Sequence, residues 1–279
     1  NIVLTGYASS IAVLNEDEKE LGVAVVDMGG APTDIVVHLG NSIRYNDFIG
    51  VGSANVTNDL SMALHTPITA AERVKIEHGS LRLNSNETIE LPAIGDEGSS
   101  HEVSLEIVTN VIYARIEETL LLIAKSIKES GFKDQLAAGI VLTGGLTKLD
   151  GIRELASAIF NNTPVRLARP SEKEIEGMFD SLKEPEFSTA IGLILYGFGN
   201  FTPYEMDSNR KLRYKEESLE PSPIQNILDD EKEEGEIGET LGSSSTTHEK
   251  EDTFTILIDD EPTLKESFRK FWNRITQLF

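Results

Sequence analysis

Two short apolar runs joined by a glycine-containing turn constrain the fold of this 279-residue sequence more than any other feature. Val23 to Val26 and Ile35 to Val37 are rich in β-branched residues and have the length of buried strands. The stretch between them, Met28 to Pro32, contains two glycines and a proline, which are typical of a tight connection. The sequence therefore predicts two buried strands that meet at one turn.

This turn is a candidate binding site because of the residue types in it. Gly29 and Gly30 lack a Cβ, so their amides can approach a bound anion closely and can take φ values that other residues avoid. Asp27 and Asp34, at the two edges of the turn, can hold a metal ion or its waters. The alternative is an ordinary hairpin turn with polar residues, and the turn alone does not decide between the two.

A second turn of the same kind follows another apolar run. Ile140 to Leu142 has the composition of a buried strand, and Thr143-Gly144-Gly145 follows it directly. Leu149 to Gly151 then leads into a predicted helix. Two Gly-Gly turns, each after an apolar strand, predict that both turns line one cleft.

These two turns resemble those of a known superfamily. DMGGAPTDIVV and GIVLTGGLTKLDGI resemble, in order and spacing, the second phosphate loop and the adenosine loop of the actin-like ATPase superfamily, which includes actin, sugar kinases and heat-shock chaperones. Within it, EDEKELGVAVVDMGG, VGSANVTNDLSMAL, AERVKIEHG, AAGIVLTGG and STAIGLILYG resemble the FtsA family of bacterial division proteins. This resemblance covers Leu4 to Phe198, and the segment from Thr263 to the end resembles the membrane helix of that family.

The resemblance implies an α/β, actin-like (ribonuclease H-like) domain with a small α+β inserted subdomain, a disordered acidic linker and a C-terminal amphipathic helix. Ser42 to Ile49 is predicted to be a third strand, and three consecutive antiparallel strands fit the core sheet of that superfamily. The acidic stretch from Asn15 to Glu20 is expected to be a loop, and Ser80 to Val103 a small sheet. The half of the fold that carries the first phosphate loop is then expected upstream of Asn1. The expected boundaries are residues 1–70 and 136–200 for the two parts of the actin-like half, 71–135 for the insert, 201–262 for the linker and 263–279 for the helix.

The implied cofactors are ATP and Mg²⁺, with slow ATP turnover at most. Ala31 and Pro32 stand where many members of the superfamily continue Gly-Thr, so fewer or differently aimed amides are expected to face the phosphates. The site residues that the resemblance implies are Asp27 for the metal, through water, Gly29 and Gly30 for the phosphates, Glu72 and Lys75 for the ribose and adenine, and Gly144 and Gly145 for the adenosine. Thr33 is a further expected cofactor-binding residue.

The residues Glu72 and Lys75 also have a simpler interpretation. Thr69 and Glu72 form the T-x-x-E pattern of a capping box, which predicts a helix that begins at Thr69 and ends at Gly79. Glu72 and Lys75 lie one turn apart on that helix, so their spacing alone favours a solvated ion pair.

A long helix is predicted from Ser104 to Ser130, with Gly131 just past its end. Arg115 lies off its apolar stripe, and such charges usually form a solvated face. In the FtsA family, however, the inserted subdomain binds the tail peptide of FtsZ, which makes Arg115 a candidate contact for an acidic peptide. The apolar stripe consists of Leu105, Val108, Ile112, Ile116, Leu120, Ile123 and Ile127.

The charge of the chain is distributed unevenly. The total is −22, of which Phe201 to Pro262 contributes −12, whereas Thr263 to Phe279 contributes +3. An acidic body argues against general nucleic-acid binding, and the few apolar residues of the segment before the tail predict disorder. Within it, Phe254 to Ile258 is either a peptide that adds to a sheet edge or a sticky spot in a linker.

The last segment has the pattern of an amphipathic helix that begins with a capping box at Thr263 and Glu266. It is too short and too charged to span a bilayer, and the single Trp and the basic face fit a helix that lies in anionic headgroups. The alternatives are docking on its own domain or on a calmodulin-like partner. The apolar face consists of Leu264, Phe268, Phe271, Trp272, Ile275, Leu278 and Phe279, and the basic residues are Lys265, Arg269, Lys270 and Arg274.

The resemblance implies a division scaffold at the cytoplasmic face of the inner membrane, with FtsZ, anionic lipid and copies of itself in actin-like filaments as partners. The alternative is another actin-like ATPase, such as a sugar kinase, a chaperone ATPase or a pilus-assembly protein. A kinase has no need of an amphipathic tail, and no catalytic nucleophile or base stands out in the sequence.

Overall fold

The structure is a computed structural model, and it describes residues 2–82, 87–94, 98–161, 163–171 and 180–198. The predicted linker (201–262) and the predicted membrane helix (263–279) lie outside the described residues. Within the described part, no helix has the length and apolarity that crossing a membrane requires. The described strands are β1 (Val23–Met28), β2 (Thr33–Leu39), β3 (Ser42–Ile49), β4 (Thr88–Pro92), β5 (Ser100–Ser104), β6 (Gly139–Thr143) and β7 (Val165–Leu167).

The central sheet has five strands in the order β3-β2-β1-β6-β7. The first three strands are antiparallel neighbours, and β6 and β7 continue the sheet in parallel with β1. The prediction of three consecutive antiparallel strands from Val23 to Ile49 is therefore confirmed. β4 and β5 form a separate two-stranded sheet in the region where the sequence predicted a small sheet.

Helices cover both faces of the central sheet, which explains why β1 is buried along its whole length. Val23 and Val25 point to a cluster with the first and last helices, whereas Ala24 and Val26 point to the larger core on the other face. The helices are α1 (Thr5–Val13), α2 (Glu16–Leu21), α3 (Ser53–Ala63), α4 (Ile68–His78), α5 (Leu105–Glu129), α6 (Ile152–Ile159) and α7 (Ser188–Gly197).

The longest described helix, α5, confirms the prediction made from its apolar spacing. Ser104 caps it by accepting a hydrogen bond from the Glu106 amide, and Gly131 follows its end with a φ of 76°. All seven residues of the predicted stripe are buried. At roughly 1.5 to 3 kcal/mol for each buried large side chain, this stripe is a major stabilising contribution to the larger core.

Two local predictions are wrong. The acidic stretch from Asn15 to Glu20 was expected to be a loop, but it forms α2, because Asn15 and Glu18 make a reciprocal capping box. Three acidic residues in the first turn of this helix also interact favourably with its dipole.

The second wrong prediction concerns the start of α4. The helix begins at Ile68, after Pro67, and the expected cap residue Thr69 is already inside it. The Pro67 carbonyl accepts from the amides of Ala70 and Ala71, which are the first hydrogen bonds of the helix, and no side chain among the described residues caps it. The expected capping partner Glu72 instead bonds side chains of α3 and α4, a tertiary interaction that the local pattern does not reveal.

Candidate functional site

The two Gly-Gly turns meet at one edge of the sheet. β1 and β6 are adjacent and parallel, with Asp27 opposite Thr143 in register, so both strands end at the same level. The turn after β1 and the short 3-10 helix Gly145–Lys148 after β6 both start there. In open α/β sheets the carboxyl ends of parallel strands are where ligands bind, which makes this edge the candidate site.

The turn between β1 and β2 has a different conformation from the one expected. Neither Gly29 nor Gly30 has a positive φ, so the expectation that they use the conformational freedom of glycine is wrong. Ala31 has no positive φ either, and it is therefore not strained. The Gly29 amide donates to the Pro32 carbonyl at 3.2 Å and closes the turn.

Gly30 is the open position of this turn. A Cβ built on Gly30 would meet no atom within 4 Å. Among the described residues, no acceptor takes the amide of Gly30 or of Ala31. Two free amides beside an open space are donors that an anion can use.

The turn after β6 contains two glycines with different roles. Gly144 has a φ of 91°, and a Cβ there would collide with Oδ1 of Asp27 and with the Met28 carbonyl. A side chain at this position is therefore excluded both by its backbone conformation and by its contact with β1. Gly145 has room, since a Cβ there would meet only the Glu186 Cβ, at 3.5 Å.

Asp27 lies between the two turns and is only 7% exposed. Its Oδ2 accepts hydrogen bonds from Ser9 Oγ and, at 2.9 Å, from Thr189 Oγ1. Burial raises the pKa of Asp27, and the two hydroxyl donors oppose that rise. The sequence pointed to Asp27, but it contained no signal for Ser9 or Thr189, because Thr189 is 162 positions away from Asp27.

The first turn of α3 is hydrogen-bonded to the β1–β2 turn. The amides of Ser53 and Ala54 donate to the carbonyls of Gly29 and Gly30 at 3.0 and 2.8 Å. Thr33 is fully buried, and its hydroxyl donates to the Val51 carbonyl at 2.8 Å. Thr33 therefore lies next to the turn, and its hydrogen bond fixes the segment that leads into α3.

Lys75 is buried, at 8% exposure, so the interpretation of Glu72 and Lys75 as a solvated ion pair is wrong. Lys75 Nζ donates to Glu72 Oε2 at 2.8 Å, to Thr57 Oγ1 at 2.9 Å and to Ser53 Oγ at 2.5 Å. The pKa of Glu72 is lowered: burial acts to raise it, but hydrogen bonds from Lys75 and Thr57 outweigh burial. Through Ser53, this buried cluster is connected to the turn after β1.

Arg115 lies away from this edge, in an ion-pair cluster between α5 and α3. Its guanidinium binds both carboxylate oxygens of Asp59, at 2.5 and 2.9 Å, and Glu118 at 2.7 Å. With 12% of its side chain exposed, Arg115 is not part of a solvated face. The three charged groups together form a fixed arrangement on the surface of the two helices.

The structure therefore brings Asp27, both turns and, through Ser53, the Lys75 cluster into one site. Arg115 stands apart from it, and the predicted membrane residues lie outside the described range.

Comparisons with known proteins identify the family and the fold. The family model described as "Cell division protein FtsA" matches residues 24–192. The cell division protein FtsA of Helicobacter pylori strain 26695 is 41% identical over 292 aligned positions, which cover 100% of this chain and 59% of that protein. The chain spans about half the length of the curated relatives it matches.

Solved structures share the fold at low sequence identity. MreB5 of Spiroplasma citri bound to ADP superimposes with a TM-score of 0.57 at 18% identity, covering 70% of this chain and 59% of that one. A MamK double helical filament gives a TM-score of 0.53 at 17% identity, covering 70% and 58%. The prediction of an actin-like α/β fold is confirmed, and the chain belongs to the FtsA family of cell-division proteins.

Proposed function

We propose that this chain is part of an ATP-binding scaffold that tethers FtsZ filaments to the membrane during cell division and helps to recruit later division proteins. The observation on which the nucleotide site rests is the convergence of the two glycine turns on Asp27 at adjacent parallel strand ends. A structural neighbour, MreB5, is described as bound to ADP, which supports nucleotide binding by a chain of this fold.

The residues present fit a nucleotide phosphate. The amides of Gly30 and Ala31 are free to donate to phosphate oxygens, whereas the Gly29 amide already closes the turn. Thr33 acts by fastening the segment that carries these amides. Gly144 and Gly145 line the adenosine side, where Gly145 leaves open space.

Mg²⁺ would be held with the phosphates. Among the described residues, no three His, Asp or Glu side chains converge on one point as direct metal ligands. Mg²⁺ in nucleotide sites keeps several waters and relies on phosphate oxygens, so a single nearby carboxylate is enough to orient it. Asp27 is that carboxylate, and it would contact the metal through water. Bound Mg²⁺ would screen the phosphate charge from this acidic residue.

Glu72 and Lys75 are proposed to serve the ribose and adenine, Glu72 by direct contact and Lys75 through Glu72. Lys75 is saturated with partners on α3 and α4, so it contributes chiefly by fixing the half-exposed Glu72 carboxylate. The part of the relatives' length that this chain does not match would supply the other wall of the cleft.

The first prediction tests the nucleotide site by filling it. Replacing Gly145 by Leu puts a large side chain into the open space, so ATP binding to the full-length protein should fall at least about tenfold, more than 1.4 kcal/mol. Gly145→Ala is the matched control, since a Cβ makes only an ordinary contact with Glu186 and binding should change little. The measurement is a calorimetric titration, and unchanged affinity of Gly145→Leu would refute the adenosine assignment.

The proposed FtsZ contact is the region 71–135, centred on Arg115. To bind Arg115, an acidic tail peptide would compete with Asp59 and Glu118, which already pair with its guanidinium. The proposed anchor is the helix 263–279, tethered by the linker 201–262, which would place the protein on the cytoplasmic face of the inner membrane at the division site.

The proposed function includes self-association of the chain into actin-like filaments. It is supported by the fold shared with MamK, whose structure is described as a double helical filament. The family assignment favours this division scaffold over the alternatives of a pilus-assembly protein, a sugar kinase or a chaperone ATPase.

A further inference from the structure

Two hydroxyl groups from distant parts of the chain donate hydrogen bonds to the same oxygen of the Asp27 carboxylate. Ser9 Oγ on α1 and Thr189 Oγ1 on α7 both donate to Asp27 Oδ2, and the two hydroxyls are 2.8 Å from each other. Oδ1 has no hydrogen-bond partner among the described residues, yet it is not one of the fully enclosed polar atoms. One oxygen of Asp27 is therefore fixed, and the other, which lies against Gly144, has no protein partner among the described residues.

The first turn of α7 is tied to both strands that form the edge of the site. Thr189 binds Asp27 at the end of β1, while the preceding residue, Ser188, is 2.6 Å from Thr143 Oγ1 at the end of β6. Ser188 and Thr143 are both fully buried, so this contact is shielded from water. Consecutive residues of one helix thus set the positions of two adjacent strand ends.

The two helices that supply these hydroxyls cannot slide freely against each other. Gly192 of α7 packs directly on the Ala8 carbonyl of α1, where a Cβ would overlap the backbone. Tyr7 and Tyr196 extend the contact in an edge-to-face arrangement, with ring centroids 6.4 Å apart. The positions of the Ser9 and Thr189 hydroxyls relative to Asp27 are therefore determined by a close helix crossing.

We propose that Ser9 and Thr189 are positioning residues for the nucleotide-bound divalent cation: they fix Oδ2 of Asp27 so that Oδ1 points to the cation's water shell. The inference rests on the proposed nucleotide site. It adds to that site two residues on α1 and α7, neither of which touches the nucleotide or the metal. Partners of this kind behind a metal-binding group commonly change metal affinity by about 10- to 100-fold when they are removed.

The test separates metal-dependent from metal-independent binding. ADP affinity of the full-length protein is measured by calorimetry in excess Mg²⁺ and again in EDTA, for Ser9→Ala and Thr189→Val. We expect affinity in Mg²⁺ to fall about tenfold or more, with affinity in EDTA unchanged. Thr189→Ser keeps the hydroxyl and should restore the parent's Mg²⁺ dependence, which a general packing defect would not allow.

Ser10→Ala is the matched control on the same helix. Ser10 is equally buried, but its hydroxyl bonds the Tyr7 carbonyl and faces His38 instead of Asp27, so it should lower thermal stability without changing the Mg²⁺ dependence. Equal losses in Mg²⁺ and in EDTA for Ser9→Ala and Thr189→Val would overturn the positioning role.

Asp27→Asn distinguishes failure of this inference from failure of the proposed site. If Asp27→Asn abolishes the Mg²⁺ dependence while Ser9→Ala and Thr189→Val do not change it, only the positioning role is refuted. If Asp27→Asn also leaves the Mg²⁺ dependence unchanged, the metal assignment of Asp27 is wrong, and the role of the two hydroxyls fails with it.

Discussion

At the scale of single residues, His38 is the most strongly perturbed ionisable group outside the site in the part of the chain that the structure describes. It lies on β2 beneath α1, where its Nε2 is 3.0 Å from Ser10 Oγ, and its buried Nδ1 has no hydrogen-bond partner among the described residues. Burial lowers the pKa of His38 to about 4, with a smaller contribution from the nearby charge of Lys19 and an opposing one from Glu16. The folded protein therefore strongly favours the neutral imidazole.

This perturbation predicts a loss of stability in mild acid. His38 binds a proton near pH 6.5 in the unfolded chain but only near pH 4 in the folded one, so the free energy of unfolding is undiminished above pH 6.5 and falls as the pH drops toward 4. The fall due to this residue should be about 2 kcal/mol between pH 7 and pH 5. Urea denaturation at the two pH values measures it.

His38→Gln removes the titrating group and should flatten this part of the pH dependence. His78→Gln, a change at a partly exposed histidine of α4, is the control and should keep the parent's profile. If His38→Gln and the parent lose the same free energy of unfolding between the two pH values, burial of a neutral His38 is not the cause.

At the scale of elements, the contact between α3 and α5 combines apolar packing with the Arg115 cluster. Burial raises the pKa of Glu118, and the charge of Arg115 opposes that rise. Asp59 and Glu118 are 14% and 16% exposed, so loss of the guanidinium would leave two poorly solvated carboxylates side by side. Stability and the proposed peptide binding therefore depend on the same side chain, and a single substitution of Arg115 would not separate them.

A paired substitution separates the two roles. Arg115→Ala alone should destabilise the protein by about 3 kcal/mol, whereas Arg115→Met combined with Asp59→Leu replaces that pair by apolar groups, leaves only Glu118 without its cation and should recover part of that loss. If Arg115 contacts FtsZ, the double variant should be stable and yet bind the FtsZ tail peptide at least about tenfold more weakly, or 1.4 kcal/mol.

Fluorescence anisotropy with a labelled tail peptide provides the measurement. Lys125→Ala, at a half-exposed lysine on the same helix, is the matched control for loss of one positive charge. A stable double variant with the parent's peptide affinity would show that Arg115 is a structural residue only.

At the scale of the whole molecule, the net charge changes sign along the chain: residues 1–200 and 201–262 are both acidic, and residues 263–279 are basic. The acidic body and the predicted acidic linker are repelled by anionic lipid, so the proposed membrane binding would have to come from the tail, the one region with a positive net charge. In that segment each large apolar side chain inserted into the interface would contribute roughly 1.5 to 3 kcal/mol at most, and each basic residue about 1 kcal/mol near anionic lipid. Folding of the proposed helix on the surface would reduce the net gain.

The prediction for the tail compares two neighbouring substitutions with the same charge change on the polar and apolar sides. Trp272→Glu places a carboxylate in the apolar face and should release the full-length protein from anionic vesicles. Asn273→Glu, on the polar side, should weaken binding only modestly. Cosedimentation with vesicles gives both values, and equal retention of both variants at the parent's level would favour a partner-docking helix instead.

The sequence by itself determined the elements whose signals are local. The β-branched runs of β1 and β2, the Gly-Pro turn between them and the apolar stripe of α5 all appear where they were predicted, because periodicity and turn chemistry act over a few residues. The position of Asp27 at the end of β1 followed from the same local pattern.

Only the tertiary structure decided what each polar side chain contacts. Lys75 donates hydrogen bonds to hydroxyls of α3. Arg115 pairs with Asp59, which is 56 positions away in the sequence, and Asp27 accepts a hydrogen bond from Thr189, which is 162 positions away. Such partners are chosen by packing of the sheet against helices on both faces, and no spacing within a short window encodes them. The physical reason is that a buried polar group without a hydrogen bond costs free energy. Its partner therefore comes from the element that packs next to it in the folded core, which can be distant in the sequence.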